Sequence, residues 1–134
     1  MILLDTHALF WMATDSSRLS KQAREAIRQA RHNGARQETG IAIATISLWE
    51  LAWLAHNGRI MVVGSVESFV RETISRVILK PVTAEIAALG VRLPKNFPKD
   101  PADRLIASTA IVEGIPLITA DASIRQSKVV QTIW

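Results

Sequence analysis

Short apolar runs alternate along this chain with longer stretches whose apolar residues recur every three or four positions. Ile2-Leu3-Leu4, Ile41-Ala42-Ile43, Val77-Ile78-Leu79 and Leu117-Ile118-Thr119 read as short buried strands, and Val129-Val130 as the start of a last strand toward Trp134. Between them lie helices. Thr6 is placed to cap one running from His7 to Ala13, and Ser20 to cap one from Lys21 to about His32, which Asn33-Gly34 would end. Further helices are predicted from Ile46 to His56, from Gly64 or Ser65 to about Ser75, and from Thr83 to about Leu89. The last long one is opened by Asp100-Pro101, runs to Glu113, and is stopped by Gly114 and Pro116.

Strands too short and too apolar to have a wet face, alternating with helices, predict an α/β fold: a parallel sheet of about five strands with helices on both faces. Sites in such sheets form beyond the carboxyl ends of the strands. Asp5 and Asp121 stand at or just after two such ends.

Composition narrows the possibilities. The 134 residues suit one domain, with enough apolar content (49%) for a core that needs no cross-links. The absence of cysteine excludes disulfides and thiolate metal sites. No leader-like or membrane-spanning run is present, so a soluble cytoplasmic protein is expected. A net charge of +4 favours a polyanionic partner.

The acidic residues are few and oddly placed. Glu50 sits mid-helix between Trp49 and Leu51. Asp100, followed by proline, reads as a structural helix cap, while Asp103 falls within the first turn and can project into the same crevice as Asp5. Asp121 either caps a short helix near Ser123 or joins that crevice. Four carboxylates gathered together do not all ionise comfortably without cations. An oxygen-only donor set suits Mg²⁺ or Mn²⁺ rather than zinc. Phosphodiester hydrolysis by metal-activated water is the matching chemistry. Thr6, Ser47 and Thr119 are candidates to orient the acids, each equally readable as a cap or turn hydroxyl. His7 reads as a helix residue near the site rather than a ligand. Lys21, Arg24, Arg28 and Arg31, with Arg18 and Arg36 nearby, form a basic helix face suited to RNA phosphates or simply to solvent.

Four blocks of sequence together resemble the PIN-domain ribonucleases, in particular VapC-type toxins of type II toxin–antitoxin pairs. They are Leu3-Leu4-Asp5-Thr6-His7-Ala8-Leu9-Phe10-Trp11, Ser47-Leu48-Trp49-Glu50-Leu51, Asp100-Pro101-Ala102-Asp103-Arg104-Leu105-Ile106-Ala107 and Leu117-Ile118-Thr119-Ala120-Asp121. The resemblance covers residues 1–134 as a single PIN-like domain. It implies that Asp5, Glu50, Asp103 and Asp121 are the catalytic and metal-binding acids. It further implies Mg²⁺ as cofactor with Mn²⁺ able to substitute, an RNA substrate, a homodimer, and a VapB-like antitoxin partner. Two other readings share the scaffold: a catalytically silent PIN-like binding module and a DNA-directed nuclease. A haloacid dehalogenase-like phosphatase would need a second aspartate at position 7, where histidine stands.

Overall fold

The computed structural model describes residues 1–33 and 40–134. Gly34, expected to stop the second helix, and Arg36, expected near the basic face, lie outside the described residues. Five strands, β1 (Ile2–Leu4), β2 (Ile41–Ala44), β3 (Ile78–Lys80), β4 (Leu117–Ile118) and β5 (Thr132–Ile133), form one sheet in the order β3-β2-β1-β4-β5. Every pairing is parallel, with Leu3 facing Ala42 on one side and Leu117 on the other. Seven helices are found among the described residues: α1 (Thr6–Thr14), α2 (Lys21–Asn33), α3 (Ile46–His56), α4 (Val66–Thr73), α5 (Ala84–Arg92), α6 (Pro101–Glu113) and α7 (Ala122–Ser127).

The alternation of side chains along a strand divides the core in two. Ile2, Leu4, Ile41, Ile43 and Ile118 pack with Ala8, Leu9, Ala23 and Ile27 of α1 and α2. Leu3, Ala42, Ala44 and Leu117 pack with Ile106, Ala107 and Ala110 of α6 and with Phe97. The central strands are therefore apolar at every position because both faces are covered.

Three local readings change. Asp5, not Thr6, caps α1: its Oδ1 accepts from the Ala8 backbone N–H at 2.7 Å, and Thr6 is already helical. Residues Asp15 to Ser17, expected as plain loop, contain a 3₁₀ turn over Ser16–Arg18 that Asp15 caps. The last strand begins at Thr132; Val129 and Val130 precede it, with Val130 buried in the α6-side core. Asp100 caps α6 through Asp103 N–H at 3.0 Å, with Pro101 at the first helical position. Accordingly, Asp100→Ala is expected to cost about 1 kcal/mol in urea unfolding and Asp100→Asn far less, since an amide oxygen still accepts the bond. Equal costs would remove the capping role.

Candidate active site

The strand order reverses direction at β1. The chain steps from β1 to β2 and β3 on one side, then crosses to β4 and β5 on the other. The carboxyl ends of β1 and β4 therefore open a crevice between helices leaving in opposite senses. Asp5 stands at the end of β1 and donates its backbone N–H to Ile118 O at 3.1 Å, which fixes it to β4. Asp121 follows β4 and caps α7, its Oδ1 accepting from Ile124 N–H at 3.0 Å. Asp103 lies in the first turn of α6, and Glu50 lies on α3.

These four acids line one cleft of about 580 Å³, together with Thr6, His7, Trp11, Arg18 and Asp100. Asp5, Asp100 and Asp121 are each helix caps, so the positive ends of α1, α6 and α7 meet at the cleft. Asp100 thus caps a helix and also lines the cleft. Its expected structural role is incomplete as a description.

The electrostatics show how crowded the acids are. Burial pushes the Asp5 carboxyl above its ordinary range, the nearby Asp121 charge adds to this, and hydrogen bonds from Thr119 and the Ala8 N–H oppose it. Burial also raises Glu50, aided by Asp100 and Asp5 and opposed by Thr6. Asp103 is pushed up to about 7, by burial first and then by the charges of Asp100, Glu50, Asp121 and Asp5. That mutual influence is expected of carboxylates sharing one site.

The three candidate orienting hydroxyls all touch this cluster. Thr6 Oγ1 stands 2.5 Å from Glu50 Oε1 and 3.0 Å from the buried Ser47 hydroxyl. One hydroxyl carries one proton. Thr6 therefore donates to the carboxylate, leaving Ser47 to donate to Thr6. Thr119 Oγ1 accepts from Asp121 N–H at 3.1 Å, and its hydroxyl favours the ionised form of the neighbouring Asp5. Removing this support by Thr6→Val is expected to lower cleavage about tenfold and, by leaving the buried Ser47 hydroxyl without its acceptor, to cost about 1–3 kcal/mol of stability. Unchanged turnover would show that Glu50 needs no such anchor.

The basic helix face is not part of the cleft. Arg24, Arg28 and Arg31 line a separate groove of about 500 Å³ beside Leu19 and Ile27. Arg28 is paired with Glu25 at 2.6 Å, and Lys21 is exposed. Among the described residues the basic side chain lining the cleft with His7 is Arg18, whose guanidinium lies 4.8 Å from the Trp11 ring centroid. Trp11 is also tilted against His7 and Trp134, each with ring centroids 5.8 Å away. The sequence places Arg18 only beside the basic helix. A single arginine in a serine-rich turn carries no periodic signal, and its role depends on contact with an aromatic residue seven positions earlier. Arg104 was not singled out either. It donates to Gly90 O at 3.1 Å, tying the start of α6 to the end of α5.

Comparison with known proteins agrees with this architecture. Residues 2–129 match the family model described as PIN domain. The chain belongs to the PIN-domain family. Over 135 aligned residues, covering 99% of this chain and 98% of the other, this PIN domain is 38% identical to Ribonuclease VapC22 of Mycobacterium tuberculosis. Its fold is shared by VapBC2 from Rickettsia felis, solved bound to a promoter DNA fragment (TM-score 0.70, 20% identity, 98% and 97% of the two chains covered). It is shared equally by DNA-bound VapBC from Salmonella typhimurium (TM-score 0.68, 20% identity, 98% and 97% covered).

The PIN domain's cleft suits a hard divalent ion by its donors. They are carboxylate oxygens that raise one another's proton affinity, with no cysteine and with His7 at the margin. Among the described residues no three of these side chains already stand as a formed cation-holding group. Asp5 Oδ1, Asp121 Oδ1 and Glu50 Oε1 are engaged by the protein's own donors. Each of these carboxylates keeps a second oxygen outside those bonds.

Proposed function

We propose that this chain is a metal-dependent endoribonuclease that acts as the toxin of a VapBC-type pair. The reading rests on one observation above all. A chain 38% identical over nearly its whole length is a ribonuclease of the VapC group, and the four acids marked by the shared motifs line a single cleft here. In this reading Asp5, Glu50, Asp103 and Asp121 hold Mg²⁺, with Mn²⁺ able to replace it. The bound ion would supply Lewis-acid charge to a phosphate and a water of lowered pKa.

The protein's own part is positioning. Thr6 and Ser47 hold Glu50, Thr119 holds Asp5, and the converging helix N-termini temper the cost of gathering negative charge. Without a cation, the same carboxylates repel a phosphodiester. RNA binding and metal binding are therefore coupled.

The partner in this reading is a VapB-like antitoxin. The support is that the solved proteins of like fold include VapBC assemblies. The toxin would work as a homodimer in the cytoplasm, with residues 1–134 acting as one unit. Among the described residues no helix is long and apolar enough to cross a membrane.

The test compares the unaltered chain with Asp5→Asn in two settings. Purified chain incubated with cellular RNA should generate defined new ends with Mg²⁺ or Mn²⁺ and none with chelator, and Asp5→Asn should generate none. Expressed alone, the unaltered chain should arrest growth and Asp5→Asn should not. Equal growth arrest by both would refute toxicity through cleavage.

A further inference from the structure

The start of α6 delivers Asp100 and Asp103 to the acid cleft at the end of a connection that contains Pro94 and Pro98. Asp100, Glu50, Asp121 and Asp5 all crowd Asp103 with negative charge. Their repulsion acts to push this turn out of the crevice, so something has to hold it in. The bonds inside the turn do not. Asp103 N–H and Arg104 N–H both donate to Asp100, at 3.0 and 3.1 Å, which stiffens the turn without fixing its place.

Among the described residues, the hydrogen bonds that leave this turn for another element both come from Arg104. Its Nη1 donates to Gly90 O at 3.1 Å and to Leu93 O at 3.4 Å. Gly90 lies in the last turn of α5 and Leu93 is its C-terminal cap, so the guanidinium meets carbonyls at the negative end of that helix. The guanidinium also lies 6.0 Å from the ring centroid of Phe97, which is buried in the middle of the connection. One side chain thereby joins the end of α5, the connection and the start of α6. Although it neighbours Asp103 in sequence, Arg104 forms no ion pair with it among the described residues and does not line the cleft. Its charge is set against carbonyls and leaves the carboxylates open to a cation.

We propose that Arg104 is a positioning residue: by tethering the start of α6 to the end of α5, it keeps Asp103 and Asp100 turned into the cleft before any cation arrives. A divalent ion then meets carboxylates that are already gathered, and its binding need not draw them together. The proposal rests on the ribonuclease reading for the role of that ion; the tether itself is read from the contacts of Arg104.

The experiment replaces Arg104 by methionine, which keeps an unbranched stem and loses the donors, in the full chain without RNA. Amide hydrogen exchange in chelator reads the tether directly. With Arg104→Met, exchange at residues 103–105 should quicken about tenfold, while Leu3 and Leu4 in the central strand keep their rates. Titration with Mn²⁺ alone, followed by electron paramagnetic resonance of the free ion, should show affinity weakened about tenfold, as when a group supporting a metal ligand is lost. Arg104→Lys keeps a charged donor on a stem one bond shorter and should fall between the two in both measurements.

A role in overall stability alone would quicken exchange in β1 as much as in α6 and leave the Mn²⁺ affinity of the folded protein unchanged; that result would overturn the proposal. Selective quickening in α6 with unchanged Mn²⁺ affinity would overturn it too, because the tether would then have no bearing on the cleft. If Arg104→Met does not fold, Arg104→Lys decides, and exchange and Mn²⁺ affinity equal to those of the unaltered chain sink the idea. The ribonuclease reading fails separately. If the unaltered chain cuts no RNA with any divalent ion, yet Arg104→Met loosens the start of α6 and weakens Mn²⁺ binding, the tether stands and the nuclease falls.

Discussion

Asp103→Asn is expected to abolish most RNA cleavage and, in the same protein stripped of divalent ions, to raise the melting temperature. The two effects share one cause. Asp103 is held up to about 7 by burial and by the charges of Asp100, Glu50, Asp121 and Asp5. Its ionised form is therefore strained in the empty cleft, and asparagine, nearly identical in shape, removes the strain together with the charge. Its position in the first turn of α6 is retained, since Asp100 accepts from the residue 103 backbone N–H and not from its side chain. The proposed metal would lose a ligand, so cleavage should fall by about a hundredfold or more. A gain of a few degrees in Tm is expected at about pH 8 in chelator. Single-turnover cleavage and thermal melts check both. A variant that is less stable without metal and still active would contradict the whole account of the cleft.

The second large effect is on pH dependence. A carboxyl group whose folded pKa lies above its unfolded value binds more protons in the native state, so native stability falls as pH rises between the two values. For Asp103 that window runs from 3.8 to about 7, and Asp5 and Glu50 are displaced in the same direction. Without divalent ions, unfolding free energy should therefore decline from about pH 4 to about pH 7. Asp103 is partly open to solvent, and screening there reduces its share of the decline to about 1–3 kcal/mol. Mn²⁺ should reverse the trend, since ligands must lose protons to bind it and stabilisation by metal grows as they do. Urea titrations at two pH values, with Mn²⁺ or chelator, in the unaltered chain and in Asp103→Asn, give the comparison. The variant should show a flatter profile in chelator and a smaller response to Mn²⁺. Stability rising with pH in metal-free protein, and rising equally in the variant, would oppose the prediction.

The layout of the fold was legible in the sequence where a single physical requirement dominates. Ile2-Leu3-Leu4 can only be a strand covered on both faces, and it is β1 at the centre of the sheet. The helix expected from Ile46 to His56 has those bounds because the backbone closes on Asn57 and Gly58. Legibility failed where two neighbouring residues compete for one task or where burial has more than one cause. Asp5 and Thr6 both suit the capping role, and the choice depends on how the chain leaves β1. Val129 and Val130 are apolar because they pack into the α6-side core, not because they pair in the sheet. At the cleft, the four acids could be singled out because each is costly where it stands. Arg18 could not, because its surroundings are made by residues remote in the chain.

The pairing of β1 with β4 has a bearing on biosynthesis. Asp5 is tied to the strand that precedes Asp121, so the cleft is closed only after β4 and Asp121 have been made. A ribosome displaying the first hundred or so residues carries three of the four acids but no completed crevice. In the proposed reading, a nuclease dangerous to its own maker stays harmless until β4 and Asp121 have been made, by which time a protein partner can already be waiting.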